Sequence, residues 1–337
     1  LNAADLLNGT ALWRAGVHPR QTSLTGAGVV ICLIDYGFDL CHPTLRTASG
    51  ETRFAALIDQ NGVTLERATI NGLLRACGRA GNRAPLDAVY DPHAHYFGDG
   101  RVEVGAHGSW VASIAAGSRT AAFSGVAPRA TLIGVQLDLP DRAWREVDAA
   151  GRPSWLDAAR EGGAALGAWR GWRSYEDSRA IAVALRQAYV AACALHPVGI
   201  VFNLSIGAWA GGHDAGSRVN RAIAALGDAG KRPGAPSSVV VAATGNAGAD
   251  AGHVAGYMTA ERPVRFVWSF ASPRAVAPRQ PAPSKLDIWA ACAGDMRVEI
   301  RLRAGLDQFV WRLAGGLRGT VAVVTADGRL IGVAQNR

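Results

Sequence analysis

Apolar residues run unbroken from Val29 to Ile34 and are rich in β-branched types. A run of that kind predicts a strand buried on both faces, as in a parallel sheet. The same texture returns at residues 53–58, 130–137, 199–204 and 238–243. Between these runs the period lengthens. Residues 65–76, 107–116, 178–195 and 217–226 space their apolar positions as helices do. Strands alternating with helices through about residue 250 predict βαβ units. After that point the texture changes. Short strand-like runs follow at 264–270, 286–291, 296–303, 309–313, 320–325 and 330–333, broken by turns such as Ala293-Gly294-Asp295 and Ala326-Asp327-Gly328. The expected fold class is therefore α/β, a mostly parallel, doubly wound sheet over residues 1–252. A C-terminal antiparallel β unit, sandwich or jelly-roll-like, is expected over 253–337.

The stretches outside this pattern are read as connections. Residues 1–28 form a lead-in with a short helix and a Gly-rich turn, 80–105 are loop-like, and 140–173 are polar and Trp-rich. The Pro-rich residues 272–283 read as a loop within the β unit. No internal repeat occurs.

Composition narrows the function class. With 49% hydrophobic residues the chain has ample material for a core. No charge-free apolar run reaches the roughly 18–20 residues of a membrane span. The net charge of +8 invites a nucleic-acid reading. Its distribution argues against one, because the positive charge is nearly all scattered Arg, with Lys231 and Lys285 the only lysines. No basic run interleaved with aromatics appears. The five cysteines make no spaced pair or zinc pattern, and Cys32 and Cys193 read as small core residues. No cofactor is expected. No signal peptide is visible, and the compartment stays open.

Three segments carry candidate chemistry. Asp35 ends the first buried run, and Gly37 follows it. In an open parallel sheet, the carboxyl ends of strands are where catalytic groups gather. An Asp capping the next segment has the same appearance. His107 opens the small-residue helix HGSWVASIAAG. Alone it reads equally as a capping or surface His; paired with a buried Asp, it becomes a general base of fixed tautomer. Asn246 lies in Thr244-Gly245-Asn246-Ala247-Gly248, after the run ending at Ala243. Its amide suits a developing oxyanion, and the stretch is also an ordinary glycine turn. Residues 203–207, NLSIG, close another strand, where Ser205, Ile206 and Gly207 can pair with an extended peptide. Trp144, Trp155, Trp169 and Trp172 read as core or partner contacts before cleft lining.

Taken in order, these segments resemble the subtilisin-like serine proteases. Asp35-Tyr36-Gly37 with His42-Pro43 is similar to the family's D-[ST]-G and H-P. His107-Gly108-Ser109-Trp110-Val111-Ala112 is similar to H-G-T-H-V-A, Gly125-Val126-Ala127-Pro128 to G-V-A-P, Asn203 to Gly207 to N-x-S-x-G, and Gly245-Asn246 to the oxyanion segment. The resemblance covers residues 25 to about 250. It implies Asp35 as orienter, His107 as base, Asn246 as oxyanion donor, Ser205 to Gly207 as substrate-binding strand, and a peptide or protein substrate; it also allows bound calcium, for which the sequence shows no clear loop.

There are departures. Tyr36 stands for Ser or Thr, and Ser109-Trp110 for Thr-His. The family's G-T-S-x-A-x-P segment is absent, since Gly319-Thr320 is followed by Val321. Residues 53–60, Gly212-His213-Asp214 ahead of Gly216-Ser217, and the β-rich tail are similar to a bacterial subgroup with a jelly-roll insertion before the nucleophile. That subgroup includes the clostridial germination proteases. The resemblance then places the catalytic Ser beyond Arg337, in a chain that opens on Leu1 rather than Met. The rival expectation is a catalytically inactive subtilase fold kept for binding or as a scaffold.

Overall fold

The computed structural model describes residues 24–60, 62–90, 107–119, 123–137, 178–206 and 216–245, six single residues between 256 and 265, and four strands between 298 and 336. The chain divides into two compact units, Leu1–Asp141 with Arg173–Gly252, and Arg142–Trp172 with His253–Arg337.

The first unit is built on six strands: β1 (Val29–Asp35), β2 (Phe54–Asp59), β3 (Val63–Glu66), β4 (Thr131–Gln136), β5 (Gly199–Leu204) and β6 (Ser237–Ala242). They lie in the order β3-β2-β4-β1-β5-β6. All neighbours are parallel except β3, which runs antiparallel to β2 at one edge. The helices are α1 (Arg67–Ala80), α2 (Ala84–Asp87), α3 (His107–Ala116), α4 (Ser178–Cys193) and α5 (Arg218–Ala229).

Alternation along β1 explains why helices cover both faces. Val30, Cys32 and Ile34 point into one cluster with Ile181, Ala184, Leu185 and Ala188 of α4 and Leu226 of α5. Ile31 and Leu33 point into the other, with Ile70 and Leu74 of α1 and Ala112 and Ala116 of α3. Successive strand side chains face opposite ways, so a strand apolar at every position needs both covers. Each fully buried aliphatic side chain is worth about 1.5–3 kcal/mol. From β1 the chain moves to β2 on one side and later reaches β5 and β6 on the other. The strand order thus changes direction at β1, the place where such sheets leave a crevice outside their carboxyl ends.

The short helix α3 is fastened at both ends. Its first amides would otherwise lack partners. Gly108 N–H donates to the Tyr36 carbonyl at 2.6 Å, and Ser109 N–H to the Gly37 carbonyl at 3.0 Å. At the other end, the amides of Val126 and Ala127 donate to the carbonyls of Ile114 and Ala115 at 3.0 and 2.9 Å. The buried guanidinium of Arg53 donates to the carbonyl of Ala116 and, at 2.6 Å, to that of Ala130. Burial brings this guanidinium down to about 10, so it remains a cation at neutral pH. The 3₁₀ turn Pro43–Leu45 lies alongside: Thr44 Oγ1 and Ser113 Oγ are 2.6 Å apart, and Ser118 N–H donates to the Thr44 carbonyl.

In the second unit the structure describes β7 (Val298–Ala304), β8 (Asp307–Leu313), β9 (Gly319–Val324) and β10 (Leu330–Asn336). β7 pairs antiparallel with β8, and β9 with β10. The strands expected at 264–270 and 286–291, the helix in the lead-in, and residues 140–173 lie outside the described residues. Two small elements depart from expectation. Residues 63–66 form the edge strand β3, and 84–87, read as loop, form the single turn α2.

Two glycines should respond oppositely to Ala. A Cβ on Gly108 would meet the Tyr36 carbonyl oxygen at 2.8 Å and the Phe38 ring at 2.9 Å, whereas one on Gly72, inside α1, meets nothing within 4 Å. Gly108→Ala should cost about 1–3 kcal/mol through forced separation of α3 from the turn. Gly72→Ala should add about 0.5–1 kcal/mol by restricting the unfolded chain. Denaturant titration of the two variants checks both signs; wild-type stability in Gly108→Ala would refute the close approach.

Candidate active site

At the carboxyl end of β1 the chain turns sharply over residues 35–39. Gly37 adopts a φ of 74°, a region that suits glycine. Every amide from Tyr36 to Asp39 has a side-chain acceptor. Tyr36 N–H donates to Asp35 Oδ1 at 2.7 Å and Gly37 N–H to Gln136 Oε1 at 2.9 Å. Phe38 N–H donates to the Tyr90 hydroxyl at 3.2 Å and Asp39 N–H to Ser109 Oγ at 2.6 Å. Tyr90 O–H in turn donates to Gln136 Oε1, and Ser109 O–H to the Gly37 carbonyl. The turn is a frame, and it aims one carboxylate.

That carboxylate, Asp35, is fully buried. Its Oδ1 lies 2.6 Å from Nδ1 of His107, the first residue of α3. The imidazole side chain is 32% exposed. Nδ1–H donating to a carboxylate leaves the lone pair of the ring on Nε2. The ring of Tyr36 stacks on the imidazole, with centroids 4.9 Å apart and 14° between the planes. Trp110, one turn along α3, is 57% exposed.

Burial dominates the carboxyl of Asp35 and holds it above the usual carboxylate range, with the bonds from His107 and Tyr36 working against that. Its Oδ2 is buried with no hydrogen-bond partner among the described residues, which adds to the cost of the charge. His107 shifts upward as well, because its hydrogen bond to Asp35 outweighs partial burial. The arrangement is thus an oriented imidazole with raised basicity at the crevice of a parallel sheet. Chemically it can take a proton from a hydroxyl and return it to a leaving group.

The other expected site residues are placed in part. The parallel register pairs Leu33 with Asn203, and its continuation sets Ser205, just past β5, level with Asp35. Ser205 O–H donates to Asn203 Oδ1 at 3.0 Å, and Ile206 packs against the α4-side core. Gly207 and Asn246 lie outside the described residues, as do Trp144, Trp155, Trp169 and Trp172. β6, the strand ahead of Asn246, ends at Ala242 beside Leu204 of β5. Among the described residues no group of three or more His, Cys, Asp or Glu could hold a metal ion. No helix among them is long and apolar enough to cross a membrane.

Sequence reasoning missed Gln136 and Tyr90. Gln136 left a signal, a fully buried polar residue closing the apolar strand TLIGVQ. Tyr90 left none, since its role depends on a contact 46 residues away.

Both shifts mean that the folded chain holds these protons more firmly than the unfolded one. The contribution of His107 to stability is complete below its reference pKa of about 6.5 and is lost as pH rises through its higher folded-state value. Asp35 follows the same sign from about 3.9 upward. NMR titration of the histidines should place His107 above 6.5, and Asp35→Asn should bring it down. A His107 pKa at or below 6.5 in the wild-type chain would contradict the bond.

Three comparisons bear on this geometry. Residues 26–261 match the subtilase family, peptidase S8. No curated protein matches the chain. Among solved structures, that of the Clostridium perfringens CspB protease is similar at 21% identity, covering 74% of this chain and 42% of that one, with a TM-score of 0.49. The chain therefore spans less than half the length of that protein. The family match extends over well more than half of the 337 residues, and the chain belongs to the subtilase family of serine peptidases.

Proposed function

We propose that the protein is a subtilisin-like serine endopeptidase acting on peptide or protein substrates, with His107 as its base. The single observation that carries this reading is the 2.6 Å contact between His107 Nδ1 and the buried carboxylate of Asp35. It lies at the carboxyl end of β1, where the strand order changes direction. The 337 residues contain no G-T-S-x-A-x-P segment, so the nucleophile is assigned to a serine outside them.

In this reading the serine Oγ bonds to the scissile carbonyl carbon while its proton passes to His107 Nε2. Asp35 stays ionised, keeps the tautomer and stabilises the imidazolium. The carbonyl oxygen becomes an oxyanion and accepts from the Asn246 amide. Collapse breaks the C–N bond as the imidazolium returns its proton to the leaving amine. Water then attacks the acyl-enzyme, giving a proton to His107, and the imidazolium returns it to the serine Oγ as the ester C–O bond breaks and the acid leaves. Ser205, Ile206 and Gly207, the residues that follow β5 in the sequence, hold the substrate backbone as an added strand.

The test compares the 337-residue chain with the full-length protein on a mixed peptide library. The short chain should not turn over, and the full-length protein should. In the latter, Asp35→Asn should lower kcat by about 10⁴-fold and Asn246→Ala by about 10²–10³-fold. His107→Ala should leave only the residual rate supplied by binding and the oxyanion site. A full-length protein that folds and binds peptides but does not cleave them would favour the inactive scaffold. Cleavage by the short chain would show that one of its own serines is the nucleophile.

A further inference from the structure

We propose that Tyr36 is a positioning residue for the base: its ring holds the His107 imidazole by the face while Asp35 holds it by the edge. The inference rests on the reading of His107 as base for its consequence, and on geometry alone for its existence.

One hydrogen bond does not immobilise an imidazole. Small concerted rotations about its Cα–Cβ and Cβ–Cγ bonds, with that hydrogen bond kept, can still swing Nε2 away from its target. A second contact, out of the line of the first, removes that freedom. Tyr36 supplies it. Its ring lies nearly parallel to the imidazole, 14° off, at a centroid distance of 4.9 Å. That is the range in which aromatic rings attract in offset stacks. The Tyr36 ring is itself restrained, since it packs partly buried against the cluster of β1 and α4. The backbone of the same residue ties both partners. Its N–H donates to Asp35 Oδ1, and its carbonyl accepts from Gly108, next to His107. One residue thus touches the orienter, the helix that carries the base, and the base itself.

This is more than packing, because the contact responds to charge. The face of a phenol ring attracts a cation, so the stack favours the imidazolium that forms when His107 takes a proton. Of the described ionisable groups, Asp35 is the one whose charge acts on His107; the ring therefore adds to a single electrostatic partner. A Ser or Thr at position 36, the residue types of the family motif, has no ring to do this.

The test is a histidine titration by NMR on the 337-residue chain, wild type against Tyr36→Phe, Tyr36→Leu and Tyr36→Ser. Phe keeps the ring, Leu keeps apolar bulk for the core without a π face, and Ser removes both. Leu and Ser should lower the His107 pKa by about half a unit, and Phe should stay with the wild type. Amide spectra establish that each variant is folded; if Ser is not, the Phe and Leu pair decides. Leu titrating with the wild type, or Phe falling as far as Leu, overturns the proposal. No turnover is measured, so a protein that proves catalytically inactive leaves the stack standing. An unchanged titration sinks the stack without touching the assignment of the base. In an active full-length protein, the acidic limb of kcat/KM should move down with the His107 pKa in Tyr36→Leu and stay in place in Tyr36→Phe.

Discussion

A carboxylate removed from water at the end of β1 is the constraint on which this structure turns. Asp35 is fully buried, and one of its oxygens has no partner among the described residues. An isolated buried charge of this kind is costly. What compensates it converges on Oδ1: the Tyr36 amide and the Nδ1–H of His107. The imidazole is therefore part of what lets the carboxylate exist where it does, and the carboxylate is what fixes the orientation and tautomer of the imidazole. Neither residue has its property alone.

The motifs that mark the family acquire physical reasons from this pair. Gly108 is small because the Tyr36 carbonyl oxygen lies against it. The His42-Pro43 step opens the 3₁₀ turn whose Thr44 meets Ser113 of α3. In Gly125-Val126-Ala127, the amides of Val126 and Ala127 donate to the carbonyls of Ile114 and Ala115 of α3, and Arg53 donates to the final one, that of Ala116. Each serves the same end. A ten-residue helix is too short to hold its place by propensity, so hydrogen bonds from four separate segments hold it. Gln136 and Tyr90 do the corresponding work for the turn after Asp35. Preorganisation of this kind is what the proposed base would need for its geometry to survive substrate binding.

Much of the core was legible from hydrophobic period alone. β5 was expected at residues 199–204 and is Gly199–Leu204; β1, β2, β4 and β6 fall within a residue of expectation at each end. β1 and β4 are buried along nearly their whole length because both faces are covered, and that leaves a plain mark on the sequence; β6 carries the same mark although Val239 and Val241 are about half exposed. β3 and α2 left little, being four residues each and shaped by what they pack on. Cys32 sits in the core as its apolar context implied, whereas Cys193, at the end of α4, is half-buried. Of the site, Asp35 and His107 were visible as a strand end and a helix start. Their support by Gln136 and Tyr90, and the stack of Tyr36, were not, because they depend on contacts that strand and helix periods do not encode. In the tail the described residues form two antiparallel pairs, β7 with β8 and β9 with β10.

The most direct measurement of the account is the imidazole proton between Asp35 and His107. In the 337-residue chain, ¹⁵N-labelled histidine spectra should show His107 protonated at Nδ1 when neutral. That proton should resonate well downfield of the other imidazole N–H signals, exchange slowly with water, and move upfield in Asp35→Asn. A neutral His107 carrying its proton on Nε2, or an Nδ1 signal indifferent to Asp35→Asn, would contradict the pairing and with it the assignment of the base.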